Sequence, residues 1–239
     1  MKIDGDMAEL LGIHIGDGCI SRTSRYAEYY LGGDITEEKE YHDKWVAPLF
    51  NKKVMIPLYK RKVTYKEHPK VGVYGFHIFN EKVVKFYEGL GIKSGSKIKV
   101  KIPEYIIKNT NHSKRFLRGL FDTDGTIYFD KNYSAKNPIN NKPRIKVDSV
   151  SKDLILQVYL LLKKLGFNPR LRKEFKSKRN LNTFYGVIID NIKDIDLFLR
   201  EIGFKNSKHY TKWKVFKILG YCPPYTTLLQ RKEIISKNL

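Results

Sequence analysis

A chain of 239 residues, 41% of them apolar, can bury a core of its own as one large domain or two small ones. Its 46 Lys and Arg against 25 Asp and Glu leave a formal charge of +21, which calls for a polyanionic partner; bases interleaved with Tyr and Asn favour nucleic acid over a membrane surface. Two cysteines, Cys19 and Cys222, exclude a disulfide framework and a Cys-based zinc site, and an N-terminus that turns acidic at once, with no long apolar run behind it, excludes a signal peptide and a membrane span. The expectation is a protein that is not secreted, cytoplasmic in a prokaryote or archaeon, or organellar.

In chain order, the first element is a helix ending Leu10-Leu-Gly-Ile-His-Ile-Gly-Asp-Gly18, with small residues Ala8, Gly12 and Gly16 at every fourth position. Residues 19–33, rich in Tyr and Ser, read as a strand hairpin. Residues 37–50 read as a helix carrying apolar Tyr41, Trp45, Val46 and Leu49 and ending before Asn51. Residues 54–65 and 71–79 read as a second hairpin, and 81–90 as a helix stopped by Gly91. The order then starts again: a helix over 115–124 ending Leu117-Arg-Gly-Leu-Phe-Asp-Thr-Asp-Gly125, a hairpin over 126–149, a helix over 152–165, a hairpin over 168–190, and a helix over 193–202 stopped by Gly203.

The repetition extends to individual residues. Gly12 and Gly119 are 107 positions apart, as are Asp17 and Asp124; Tyr74-Gly75 recurs as Tyr185-Gly186, and Gly91-Ile-Lys-Ser-Gly-Ser-Lys97 recurs as Gly203-Phe-Lys-Asn-Ser-Lys208. The fold class is therefore α+β, two αββαββα units, with a first repeat over 1–98, a linker over 99–112 containing Pro103, a second repeat over 113–219 and a tail over 220–239. The segment Leu228 to Ile235 is a candidate last helix that the pattern does not place.

Small residues four apart share one helix face, so Gly12 and Gly16 can meet Gly119 and Thr123 backbone to backbone. If the helices run parallel, Asp17 and Asp124 finish side by side. Both carboxylates then lie at helix ends that already carry partial negative charge, so a cation belongs there. Oxygen ligands without His or Cys at ligand spacing suit Mg2+, which binds through one or two carboxylates plus water and substrate phosphate. His14, inside the first motif, reads as a packed helix residue, and Trp45 and Trp213 as core.

The two nonapeptides, a hundred residues apart in a basic chain, resemble the paired signature motifs of the LAGLIDADG homing endonucleases, specifically the single-chain kind. The resemblance covers nearly the whole chain. It implies a monomer with internal pseudo-twofold symmetry, motif helices at the interface, and two four-stranded antiparallel saddle-shaped sheets over double-stranded DNA, with helices packed on one face. It further implies a double-strand break with short 3′ overhangs at a long asymmetric site. Asp17 and Asp124 match the positions that bind two or three divalent ions, Mg2+ with Mn2+ as a substitute, and act in cleavage. Gly16 and Thr123 match the position that offers a backbone carbonyl to the metal. The acid two positions earlier is Asp122 in one copy and Ile15 in the other, a departure expected to alter only helix-end capping. For the basic or amide residue that the family sets near the metals, Lys146 is the candidate.

The sheet positions supply the expected DNA contacts: Ser21, Arg22, Arg25, Tyr26 and Tyr29; Lys60, Arg61, Lys62 and Tyr65; Lys131, Asn132, Tyr133 and Lys136; Arg144 and Lys146; Arg170, Arg172, Lys176, Lys178 and Arg179. The alternatives are an intron RNA maturase and a DNA-binding protein without cleavage; retention of both acids favours the nuclease. No splicing-domain residues flank the repeats, which favours a free-standing or intron-encoded frame over an intein.

Overall fold

The structure, a computed structural model, describes residues 3–133, 139–176 and 182–238. The first motif helix, α1, spans Gly5–Asp17, with the Asp4 carboxylate capping it by accepting from the Met7 amide at 3.0 Å. Every residue from Met7 to Gly16 is buried, as befits a helix at the centre of a molecule. Further along the chain, α4 (Glu104–Ile107) precedes the second motif helix, α5 (Thr110–Thr123). That helix starts five residues before the expected 115, because Asn109 caps it through the His112 amide.

Each motif helix feeds an antiparallel sheet. The first sheet has four strands, β1 (Gly18–Arg22), β2 (Ala27–Asp34), β3 (Lys66–His68) and β4 (Val73–Phe79), in the order β1-β2-β4-β3. The second contains β5 (Gly125–Lys131), β6 (Asn140–Ser149), β7 (Arg170–Leu171) and β9 (Thr183–Ile189) in the order β5-β6-β9-β7, and β8 (Phe175–Lys176) also pairs with β9. The equivalent of β3 is thus split in two in the second repeat, giving five strands where four were expected. In both sheets alternate residues turn inward. Ile20, Tyr29, Leu31, Phe76 and Ile78 in the first sheet, and Ile127, Phe129, Ile145, Val147, Val187 and Ile189 in the second, join one continuous core with the motif helices.

The region 54–65 departs from the expected strand. Residues 39–59 form one helix, α2, with wider π-helical turns at His42–Val46 and Asn51–Met55. Pro48 and Pro57 follow those turns. A π turn opens the space that a proline ring needs and leaves a backbone position without its usual donor, so two prolines are carried without a break. Asn51 does not stop the helix: its side chain is buried and accepts from the Val63 amide at 2.7 Å. The helix ends at Lys60, in left-handed conformation at φ 56°.

Outside the sheets, α3 (Glu81–Gly89), α6 (Lys152–Lys164) and α7 (Ile192–Glu201) cover the apolar faces. The second repeat closes with α8 (Ser207–Leu219), a helix the sequence pattern does not assign, and the tail carries α9 (Leu228–Ser236), begun by a reciprocal Thr227–Gln230 capping box. Among the described residues no helix is long and apolar enough to cross a membrane.

Candidate active site

The pairing of α1 with α5 depends on glycine. A Cβ on Gly12 would lie 2.1 Å from the Phe116 carbonyl oxygen and 2.8 Å from the Leu120 nitrogen; one on Gly119 would lie 2.2 Å from the Glu9 carbonyl oxygen and 2.8 Å from the Ile13 nitrogen. These contacts interchange under the 107-residue offset of the two motifs, the signature of a local twofold. Toward the far end, Gly16 sits against Thr123, 1.9 Å from its Oγ1 to a notional Cβ, so all four expected interface residues meet. The helices run parallel and bring Asp17 and Asp124 into mutual electrostatic contact. Gly18 and Gly125 follow for a steric reason: a Cβ there would strike the His14 carbonyl at 2.7 Å and the Phe121 carbonyl at 2.5 Å, where each strand turns back along its helix.

Desolvation by the surrounding protein leads the electrostatics of the pair, with Asp17 half-buried and Asp124 still open to solvent at its surface. Desolvation, then Glu38 and Asp124, push the Asp17 carboxyl well above the ordinary aspartate range. Asp124 is raised to about 6, chiefly by desolvation, with Lys97 and Lys208 pulling it down and Glu38 and Asp148 pushing it up. Asp17 Oδ2 is buried with no hydrogen-bond partner, an acceptor open to a cation. Among the described residues no three His, Cys, Asp or Glu converge on one point. That donor-poor set of hard oxygens fits Mg2+, which completes its shell with water and phosphate.

The cations that act on these acids are Lys97 and Lys208, residues the sequence reading did not nominate. Lys97 donates to the Gly16 carbonyl. Lys208 lies 3.0 Å from Glu38 Oε1, which also accepts from Asn206 Nδ2 at 3.0 Å. Glu38, on the loop before α2, is itself buried and ties the first repeat to the second. The sequence signal for the two lysines is the recurrent segment ending in Lys97 and Lys208, which by pattern alone marks only a duplication. Lys146, by contrast, places its Nζ 2.7 Å from Asp148 Oδ2, and Asp148 is also engaged by Arg172. Its charge is spent one step away from the acid pair.

Asp122 does not cap the helix, as had been expected. Fully buried, it accepts from the backbone amides of Lys205 at 3.0 Å and Asn206 at 3.0 Å, fixing the turn from which Lys208 projects. Ile15, its counterpart, is buried and apolar. At the other end of the interface, buried Glu9 faces Arg115 at 2.9 Å and Arg118 at 3.7 Å. His14 packs between Tyr29 and Tyr87, with ring centroids at 5.4 and 4.6 Å, and burial lowers it to about 3, in keeping with a packed residue. Trp45 donates to Glu9 and Trp213 packs on Phe216, so both belong to the interior framework.

The DNA-contact candidates divide by strand alternation. Ser21, Arg25 and Tyr26 lie along the open side or tip of the first hairpin, and Tyr26 is exposed. Tyr29 does not: it is fully buried, bonded to Tyr87 Oη at 3.0 Å, and its neighbour Tyr30 takes the open face. Arg22 shares the inward parity of Ile20 and reaches α3, pairing with Glu81 at 3.1 Å and Glu88 at 2.8 Å. Tyr65 bonds His42 Nδ1 at 3.1 Å and packs against Tyr74 and edge-on to Phe76, so it too points inward. Lys60, Arg61 and Lys62 are exposed on the turn after α2 rather than on a strand. In the second sheet Arg144, Lys146, Arg170 and Arg172 line the open face, each already facing an acid: Asp130 at 2.9 Å, Asp148 at 2.7 Å, Asp190 and Asp148 respectively. Lys131, Tyr133 and Lys176 are exposed on the hairpins and Asn132 is partly so. Lys136, Lys178 and Arg179 lie outside the described residues.

Comparison with known proteins agrees with this geometry. A family model described as LAGLIDADG-like domain matches residues 111–203. The chain is 26% identical over 207 residues to the replication factor C small subunit of Methanocaldococcus jannaschii and 29% identical over 199 residues to a DNA polymerase of Thermococcus litoralis. These matches cover 87% and 82% of this chain but only 10% and 11% of those proteins, so the chain spans about a tenth of the length of the curated relatives it matches. Among solved structures it is similar to the homing endonuclease I-DmoI in complex with DNA and Mn, at a TM-score of 0.58 and 19% identity, covering 83% of this chain and 96% of that one. It is also similar to the I-LtrWI LAGLIDADG homing endonuclease bound to target DNA, at a TM-score of 0.58 and 13% identity, covering 98% of each chain. Residues 111–203 thus match a LAGLIDADG-like domain, and the chain as a whole shares the two-repeat fold of these LAGLIDADG homing endonuclease structures.

Proposed function

We propose that the chain is a site-specific endonuclease that hydrolyses both strands of duplex DNA with Mg2+ and leaves short 3′ overhangs. The observation that carries this reading is the convergence of Asp17 and Asp124, at the ends of two parallel helices, with Lys97 and Lys208 beside them. Asp17 and Asp124, with the Thr123 carbonyl, are the groups that would hold the metal; the Gly16 carbonyl accepts from Lys97. Mg2+ bound there lowers the pKa of water and offsets charge on the phosphate and the leaving oxygen.

The remaining work falls to the chain itself. Carboxyls raised in this way favour the protonated form when no cation is near, so metal binding and loss of their protons are linked. Lys97 and Lys208 offset negative charge at the pair and are placed to do the same for a phosphate in transition. Glu38, Asn206 and Asp122 position Lys208. The net charge of +21 supports a phosphate backbone as partner, and DNA complexes among the similar structures support duplex DNA over intron RNA. Matches to a small part of two replication proteins support an origin in which such a segment lies inside a host protein, as in an intein. That origin runs against the expectation of a free or intron-encoded frame.

The test separates binding from chemistry. Asp17→Asn and Asp124→Asn should each abolish double-strand cleavage while duplex binding stays within a few-fold; lost binding with unchanged cleavage per bound complex would overturn the assignment.

A further inference from the structure

A cleft of about 500 Å³ opens beside the acid pair, between the second sheet and the C-terminal tail. Its walls include Tyr128, on the open face of β5, and three cations: Lys208, Lys212 and Arg231. Lys208 and Lys212 are one turn apart on α8 and so share a face, while Arg231 comes from α9, fully buried. The two carboxylates bonded to these cations, Glu37 and Glu38, are both engaged elsewhere as well. Glu37 pairs with Arg231 and accepts from the Leu228 amide at 2.7 Å. Glu38 takes Lys208 and Asn206. Arg231 is further held by Thr211 Oγ1 at 3.0 Å and by the Thr226 carbonyl.

Lys212 is left over. Partly buried, it makes no ion pair or hydrogen bond among the described residues. Burial, Arg231 and Lys208 together lower its affinity for a proton relative to an ordinary lysine. An anion entering the cleft would offset the repulsion that Arg231 and Lys208 exert on it. At the rim stands Tyr225, fully exposed and in left-handed conformation at φ 61°, after Pro223 and Pro224. An aromatic residue held in that conformation and shown wholly to solvent packs against nothing in its own chain.

We propose that this cleft is a phosphate subsite for the backbone of bound duplex DNA, beside the cutting centre, with Lys212 meeting the phosphate and Tyr225 flanking the strand. The inference rests on the DNA-cleaving reading above. It adds a third contact, built by the C-terminal tail, to the two sheets. Two features favour DNA as the occupant: the cleft shares Lys208 with the acid centre and Tyr128 with the open face of the second sheet.

The experiment compares wild type, Lys212→Gln and Lys163→Gln in the full chain, binding a random-sequence 30-base-pair duplex over a range of salt. Lys163 lies exposed on α6, on the helical side of the sheet. Lys212→Gln should weaken binding at low salt and reduce the slope of log affinity against log salt by about 0.9, the value of one phosphate contact. Its melting temperature should hold or rise, because a crowded cation has been removed. Lys163→Gln should leave the slope unchanged. An unchanged slope in Lys212→Gln, with wild type binding normally, overturns the subsite and leaves the nuclease reading standing. A lower melting temperature with unchanged slope makes Lys212 structural and also overturns it. Failure of wild type to bind duplex DNA overturns both readings.

Discussion

At the scale of single residues, the site is set by a conflict between desolvation and charge. Two carboxylates side by side cannot easily be ionised together without compensation, and Lys97 and Lys208 supply part of it. Lys97→Met should lower the cleavage rate by ~10²–10³, the usual cost of losing one charge aimed at a transition state, with little change in duplex affinity; single-turnover cleavage at saturating DNA measures it. Substitution of Lys146 should cost less in rate, since its ammonium is already held by Asp148. The acids were legible in the sequence because Asp-Gly recurs at a fixed offset behind small residues. The lysines were not, because their role depends on a turn folding back over 80 residues to a helix end, and Asp122, which anchors one such turn through two backbone amides, looks like a cap in one dimension.

Among elements, the motif helices carry the fold, and their approach leaves no room for a side chain. Gly119→Ala would drive a methyl group into the Glu9 carbonyl; backbone on both sides cannot give way. The expected loss is about 1–3 kcal/mol, or about 2–4 °C in melting temperature for each kcal/mol in a chain this long, measured by thermal unfolding. Gly12→Ala should match it, since the contacts interchange. Periodicity found both helices, yet misjudged 54–65. Asn51 reads as the end of a helix there, whereas its side chain serves a neighbouring amide and π-helical turns carry the helix on past Pro48 and Pro57. Strand alternation also explains why Tyr29, Tyr65 and Arg22 are turned away from the open face: composition marks a strand as basic and aromatic, but parity decides which side a residue faces.

For the whole molecule, pH acts through groups of opposite sign. His14 and His42 are buried neutral, lowered by desolvation to about 3 and about 4. Their contribution to stability is complete above the unfolded value near 6.5 and is lost as pH falls toward those folded values. Asp124 runs the other way: raised to about 6 from 3.8, it favours the fold most below pH 3.8 and loses that contribution as pH rises through 6. A divalent cation should therefore matter most above pH 6. Mg2+ at a hundred times its dissociation constant contributes about 2.7 kcal/mol, so it should raise the melting temperature by several degrees at pH 7.5 and by little at pH 5. Equal shifts at both values would remove the carboxyl pair from the metal site.

The proposed function has two acids at paired helix ends cut DNA at a chosen site. Its most direct test is to incubate wild type and the Asp17→Asn, Asp124→Asn double variant with a randomised duplex library and Mg2+, then sequence the ends produced. Wild type should yield one long asymmetric consensus cut on both strands with short 3′ overhangs, and the double variant no ends above background. Cleavage by the double variant at the wild-type site and rate would contradict it.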